Sequence, residues 1–149
     1  MTNWQRNQPI IVFLKRWIPV CIPQITRIEG YVSRTTETGA FSFHSEGRAA
    51  DIYLNAFDPV HLQIGDALVQ KFIDYATDLR IDHIIWNRQI WSAAHAQDGL
   101  RTWPADRNPH TNHVHIAFTR QGSQAAPPYI IALLDGVYIE VFGTMAGIP

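Results

Sequence analysis

Residues 113–118 place imidazoles at 113 and 115 between apolar residues at 114, 116 and 118, and that pattern suits an extended strand with one polar and one dry face. His113 and His115 project to one side, and Val114, Ile116 and Phe118 project to the other, into a core. Residues 49–54 show the same period: Asp51 and Tyr53 share one face, and Ala50, Ile52 and Leu54 share the opposite one. A chain built on these two segments needs a sheet with a buried face.

The rest of the chain supplies the other elements. Residues 23–34 read as a strand centred on 25–32, followed by a polar, glycine-containing loop over 35–40. Residues 55–59 form a turn. From 64 to 79 the apolar residues Ile64, Leu68, Val69, Phe72, Ile73, Ala76 and Leu79 recur at helical spacing, which predicts the major helix. Residues 82–86 and 89–91 make a hairpin or two short strands around Asn87-Arg88. Residues 92–112 are long, polar and irregular, a length that inside a compact domain marks a functional or disordered loop. After a linker over 122–128, the apolar stretch 128–142 reads as a helix followed by a strand. The expected fold is α+β: a single domain over 1–149, mainly an antiparallel sheet, packed by one major helix and smaller helices.

Composition narrows the function classes. The chain has 149 residues, 46% apolar and 17% charged, enough for one real core. Net charge is −1, and the 12 Lys and Arg are scattered, so no basic field points to nucleic acid or an anionic membrane. The apolar run 9–14 is too short to span a bilayer, and Lys15-Arg16 follow it, whereas a signal peptide carries its charge ahead of the apolar run. General secretion is therefore not expected. Cys21 is the sole cysteine, which excludes a disulfide framework and a thiolate metal site; it reads as a small apolar filler.

Two polar clusters carry chemistry, His44-Ser45-Glu46-Gly47-Arg48-Ala49-Ala50-Asp51 and His110-Thr111-Asn112-His113-Val114-His115. A catalytic zinc wants three protein ligands and an open position. His113 and His115 lie on one strand face within reach of one ion, Asp51 lies on a second strand, and His44 sits in the loop entering it. Gly47 gives that loop freedom to fold back. Carboxylate and imidazole without sulfur suit zinc first, and manganese or iron(II) as well. Such an ion acidifies a water and polarises the carbonyl under attack. Glu46 is held as a reserve base.

The pattern His-x6-Asp, here His44 and Asp51, followed by His-x-His, here His113 and His115, resembles the zinc superfamily of D-alanyl-D-alanine carboxypeptidases and dipeptidases, peptidoglycan endopeptidases and the hedgehog signalling domain. His110 extends the second motif to His-x2-His-x-His and looks like the murein endopeptidase branch. The resemblance covers about residues 25–120 and is concentrated in the motifs. It implies one Zn2+ per chain held by His44, Asp51 and His115, with His113 as general base and His110 orienting water or helping to stabilise the transition state. These enzymes often hold the substrate carbonyl or carboxylate with an arginine. Arg34 is the preferred candidate; Arg48, directed away or sideways by strand alternation, and Arg88 at the hairpin tip are the others. Trp86 is expected in the core, while Trp103, in the polar loop, is the better substrate contact.

The expected function is thus a zinc-dependent peptidase cutting an amide bond in the peptide moiety of peptidoglycan, as carboxypeptidase or endopeptidase. That substrate lies in the periplasm or cell wall, so export by a dedicated secretion system or release by phage lysis is expected. A secreted antibacterial effector would bring an immunity protein as partner. A zinc-binding interaction module without catalysis is the alternative, against which His110 and His113 stand, since a structural site needs no base. A non-haem iron(II) oxygenase fits less well, because its His and Asp usually sit one residue apart on a single strand.

Overall fold

Both alternating segments become strands, and they are neighbours. The computed structural model describes residues 1–33 and 42–147. Strands β1 (Ile28–Glu29), β2 (Ala49–Tyr53), β3 (Ile81–Trp86), β4 (Gln89–Ser92), β5 (Arg101–Thr102) and β6 (His113–Phe118) form one antiparallel sheet in the order β1-β2-β6-β3-β4-β5. Register sets the faces. Glu29 lies opposite Asp51, Asp51 opposite His115, and His115 opposite Ile85. Directly opposed residues share a face, so the polar side chains of three strands line up in one row. The reverse face, with Ala50, Ile52, Ile84, Val114 and Ile116, joins one apolar cluster with the helices.

Those helices are α1 (Pro9–Cys21), α2 (Pro59–Asp74), α3 (Ala76–Leu79), α4 (Arg120–Ser123) and α5 (Tyr129–Phe142). The α+β architecture is as expected, with α2 the longest helix. The run 9–14 opens α1, whose Ile10, Ile11, Leu14, Ile18 and Cys21 are buried, while Val12 and Val20 face solvent. Cys21 is the apolar filler its neighbours implied. Among the described residues no helix is long and apolar enough to cross a membrane.

Several boundaries differ from expectation, and the stretch expected as an irregular loop over 92–112 holds a 3-10 segment and β5. The strand over 25–32 contracts to Ile28–Glu29, because the amide of Tyr31 donates to Asn7 Oδ1 (2.6 Å) and that of Val32 to the His44 carbonyl (3.2 Å). Beyond Glu29 the backbone is satisfied by loops instead of a strand neighbour. The major helix starts at Pro59, not at 64: Asp58 caps it by accepting from the amides of Val60 (2.9 Å) and His61 (3.2 Å), and proline is well suited to the first turn. It also breaks at Tyr75 before α3. The stretch 128–142 is helical up to Phe142 with no strand after it, since Ile130, Leu133, Leu134 and Val137 give it a helical buried stripe. Finally, the expected linker over 122–128 begins inside α4, capped by Thr119 Oγ1, which accepts from the Gly122 amide at 3.0 Å. The expected loop over 35–40 lies outside the described residues.

An amino-terminal strap fastens the first motif. Gln8 is buried, donates its side-chain amide to the carbonyls of Asn3, Arg6 and Glu46, and accepts from Gln124. Its backbone amide donates to the Gly47 carbonyl at 2.9 Å. Gly47 ends the 3-10 turn Phe43–Glu46 with φ 67°, and a Cβ there would come within 1.6 Å of the Arg6 carbonyl oxygen. Gly47→Ala should therefore add a backbone clash to the strain of a left-handed alanine, about 1–2 kcal/mol by itself. Gly143, also left-handed but open to solvent, isolates the strain component. Denaturant unfolding should show Gly47→Ala costing clearly more than Gly143→Ala; equal costs would mean that the strap does not hold this loop.

Candidate metal centre and cleft

β2 and β6 place Asp51 and His115 side by side, and the 3-10 turn Phe43–Glu46 brings His44 over them. Ser42 starts that turn, its hydroxyl accepting from the Ser45 amide (3.3 Å). His44 is 4% exposed and Asp51 6%. Three donor atoms converge: His44 Nε2 lies 3.1 Å from Asp51 Oδ1, His115 Nδ1 lies 3.1 Å from the same oxygen, and the two ring nitrogens are 3.3 Å apart. This buried His44–Asp51–His115 cluster can hold a metal ion.

The hydrogen bonds around the cluster test that fit. The Gly30 carbonyl lies 2.8 Å from His44 Nδ1 and can only accept, so neutral His44 carries its proton on Nδ1 and turns the Nε2 lone pair inward. Nε2 and Asp51 Oδ1 then face each other as two acceptors, a contact that repels unless a cation, a metal ion or a proton, sits between them. Burial pushes the Asp51 carboxyl up, but the His115 and His44 imidazoles set against its Oδ1 outweigh it and hold Asp51 well below the usual carboxylate range. Burial pushes His115 down to about 3, against the pull of Asp51. The site therefore offers an ionised carboxylate and a neutral imidazole at neutral pH, the forms that bind metal.

His113 and His110 stand beside this cluster. Neutral His113 donates Nδ1–H to Asn112 Oδ1 (2.7 Å), leaving a free Nε2 at 3.5 Å from Asp51 Oδ1. His110 donates Nδ1–H to the Asn108 carbonyl (2.7 Å) and holds a left-handed backbone, φ 53°. Its ring meets that of His113 edge-on at 4.7 Å. Burial lowers both imidazoles below their ordinary value, so both are neutral bases at pH 7. With Glu29, Tyr53, Asn108 and Asn112 they line a polar cleft of about 360 Å³ together with the cluster.

The sequence-derived candidates divide as follows. His44, Asp51, His115, His113 and His110 all line this one cleft. Arg34 lies outside the described residues. Arg48 is bound elsewhere, donating to Glu46 Oε1 (2.8 Å) and to the Phe118 carbonyl (2.9 Å), with its guanidinium 4.0 Å over the Phe43 ring. Glu46 is not a reserve base: Arg120 and Arg48 hold its carboxylate below the ordinary range, and it does not line the cleft. Arg88 is exposed at the β3–β4 turn. Trp86 and Trp91 are core, while Trp103 sits edge-on to His110 with ring centres 5.9 Å apart.

Three residues near the site escaped the sequence. Glu29 reaches the cleft through its register with Asp51 and accepts from Tyr53 Oη at 3.0 Å. Arg27 pairs with Glu29 and lies 4.0 Å over the Tyr53 ring. His83, on β3, approaches His115 from the side away from Asp51, with Nε2 at 3.0 Å from His115 Nε2. Of these only Glu29 had a usable clue, a carboxylate two residues before Tyr31 in a segment already read as a strand.

No curated protein and no solved structure matches the chain significantly. A family model does, the one described as VldE, C-terminal domain, over residues 6–115. That span runs from the strap to His115 and takes in every residue of the candidate metal cluster, so the chain belongs to the family of VldE C-terminal domains.

Proposed function

We propose that the protein is a zinc-dependent peptidase that hydrolyses an amide bond in the peptide moiety of bacterial peptidoglycan. The observation that carries this reading is the placement of two neutral imidazoles with outward-fixed protons, His113 and His110, beside an inward-facing His–Asp–His cluster in a single polar cleft. A site that only stabilises a fold needs ligands and no adjacent base. The resemblance of the two motifs to the zinc carboxypeptidase and endopeptidase superfamily supports the substrate class.

His44, Asp51 and His115 would hold the ion, which when bound supplies a Lewis acid and lowers the pKa of water. His113 accepts the proton of the attacking water at Nε2, because its other nitrogen is committed to Asn112. His110, anchored through Nδ1 to Asn108, presents a bare Nε2 to the same space and can accept from and orient the water, while the proton taken up by His113 passes to the leaving amine. Trp103 backs the His110 ring and offers an apolar face at the cleft edge. Peptidoglycan lies in the periplasm or cell wall, so the protein would act there; delivery as an antibacterial effector would bring an immunity protein that plugs the cleft.

The test is mass spectrometry of purified linear and cross-linked muropeptides incubated with zinc-loaded protein, with Asp51→Ala and a chelated sample as controls. Loss of a terminal D-alanine, or scission of cross-links, that vanishes in both controls is the expected result, and it assigns exo- or endo-cleavage. Unchanged muropeptides with stoichiometric zinc would favour a silent binding module or another amide substrate.

A further inference from the structure

His83 does not line the cleft, yet it touches a residue that does. Its Nε2 lies 3.0 Å from His115 Nε2, its Nδ1 lies 2.7 Å from Asp82 Oδ1, and its ring stacks on His115 at 5.0 Å while meeting Phe43 edge-on at 4.9 Å. We infer that His83, backed by Asp82, is the positioning residue that fixes the proton of His115 on Nε2 and so turns the Nδ1 lone pair toward Asp51 and His44. The inference rests on the reading that these three residues hold a metal ion.

Proton counting carries the argument. An ionised Asp82 is acceptor-only, so at 2.7 Å it requires the proton of neutral His83 on Nδ1. Nε2 of His83 is then bare and can only accept. The facing atom, His115 Nε2, must donate, which places the single proton of neutral His115 there and leaves Nδ1 bare. The opposite arrangement sets the bare Nδ1 of His83 against the Asp82 carboxylate, two acceptors in contact. On the other side, the Gly30 carbonyl does the same for His44. Both imidazoles of the cluster are thus aimed from outside, one by a backbone carbonyl and one by an Asp–His pair. Partners behind metal-bound histidines characteristically fix tautomer and ring orientation, and their loss costs about 10–100-fold in metal affinity.

The experiment compares His83→Phe, His83→Gln and Asp82→Ala with wild type. Phenylalanine keeps the ring against Phe43 and offers no acceptor; glutamine restores an acceptor oxygen on a chain of similar reach. Zinc affinity is read by competition with a chromophoric chelator, and thermal unfolding of the metal-free forms reports on folding. Long-range ¹⁵N–¹H spectra of the zinc-loaded proteins read the His115 ring. His83→Phe is expected to bind zinc about 10–100-fold more weakly at unchanged metal-free Tm, with Asp82→Ala between it and wild type and His83→Gln close to wild type. The His115 Nε2 proton should be low-field and protected from exchange in wild type and His83→Gln, and unprotected in His83→Phe. Equal zinc affinity in wild type and His83→Phe overturns the inference. So does a loss that glutamine does not restore, accompanied by a lower Tm, because that marks packing alone. A wild type that binds no zinc overturns it too, by removing the metal reading beneath it, and this outcome is recognised without any variant.

Discussion

Asp51→Ala should leave a folded protein that no longer retains zinc and has no metal-dependent activity. Asp51 supplies the one carboxylate of the cluster, and its Oδ1 is the atom both ring nitrogens approach, at 3.1 Å each. Without it, His44 Nε2 and His115 Nδ1 remain 3.3 Å apart, two ring nitrogens with no negative charge to offset a divalent ion. Structural zinc in small finger domains is bound with about 10–16 kcal/mol; an even third of that for one of three ligands is roughly 3–5 kcal/mol, or on the order of 10²–10⁴-fold in affinity. Metal analysis after gel filtration and chelator competition both measure this. Asp51→Asn separates charge from shape, because it keeps an oxygen in the same place, and it should lose most of the affinity as well. The metal-free proteins add a signed pH effect. The Asp51 carboxyl is held below its unfolded value, so its contribution to stability is present above about pH 4 and is lost as pH falls through the folded value. The stability gap between wild type and Asp51→Ala should therefore narrow in acid. Undiminished zinc binding by Asp51→Ala would remove Asp51 from the ligand set.

What the sequence disclosed follows from which interactions are local. Strands β2 and β6 were readable because alternation is a property of consecutive residues, and the pair over 82–91, expected as a hairpin or two short strands, because two apolar runs flank Asn87-Arg88; the structure makes it a hairpin, with those two residues left-handed at φ 48° and 65°. The two polar clusters were readable as residue types close together in the chain, and the resemblance implied which three of their side chains would share an ion; the structure brings those three together. Helix α1 was not readable, because six consecutive apolar residues show no period of their own; the buried spacing Ile10, Ile11, Leu14, Ile18 emerges only when the run is extended past Lys15-Arg16. His83 was beyond reach for a different reason. Its role depends on β3 lying beside β6 with His83 opposite Ala117 and Ile85 opposite His115, next to a bulge, and no local pattern encodes that register. Glu46 shows the converse. A carboxylate inside the motif looked available as a base, and Arg120, seventy-four positions away, had already claimed it at 2.5 Å.

The second large effect concerns His113, where two chemical roles predict opposite metal behaviour. Its Nε2 lies 3.5 Å from Asp51 Oδ1, near enough to the cluster to be a fourth ligand and equally placed to take a proton from water in the cleft. The geometry favours the base. His113 and His115 project from one strand face, but His115 turns Nδ1 to the cluster and has its Nε2 engaged by His83, whereas His113 is tied by Nδ1 to its own neighbour Asn112 and presents Nε2 toward the open cleft. His113→Ala should therefore keep stoichiometric zinc while kcat falls about 10²–10⁴-fold, with KM little changed. The pH profile gives an independent reading. Burial lowers His113 below the ordinary imidazole value of about 6.5, so the neutral, proton-accepting form persists into mild acid and kcat/KM should fall only as pH drops through that lowered value. An acid limb at or above about 6.5 would contradict the buried, neutral base. Loss of zinc together with loss of turnover in His113→Ala would make His113 a ligand, and the duty of base would pass to His110, whose Nε2 is the other free imidazole nitrogen in the cleft.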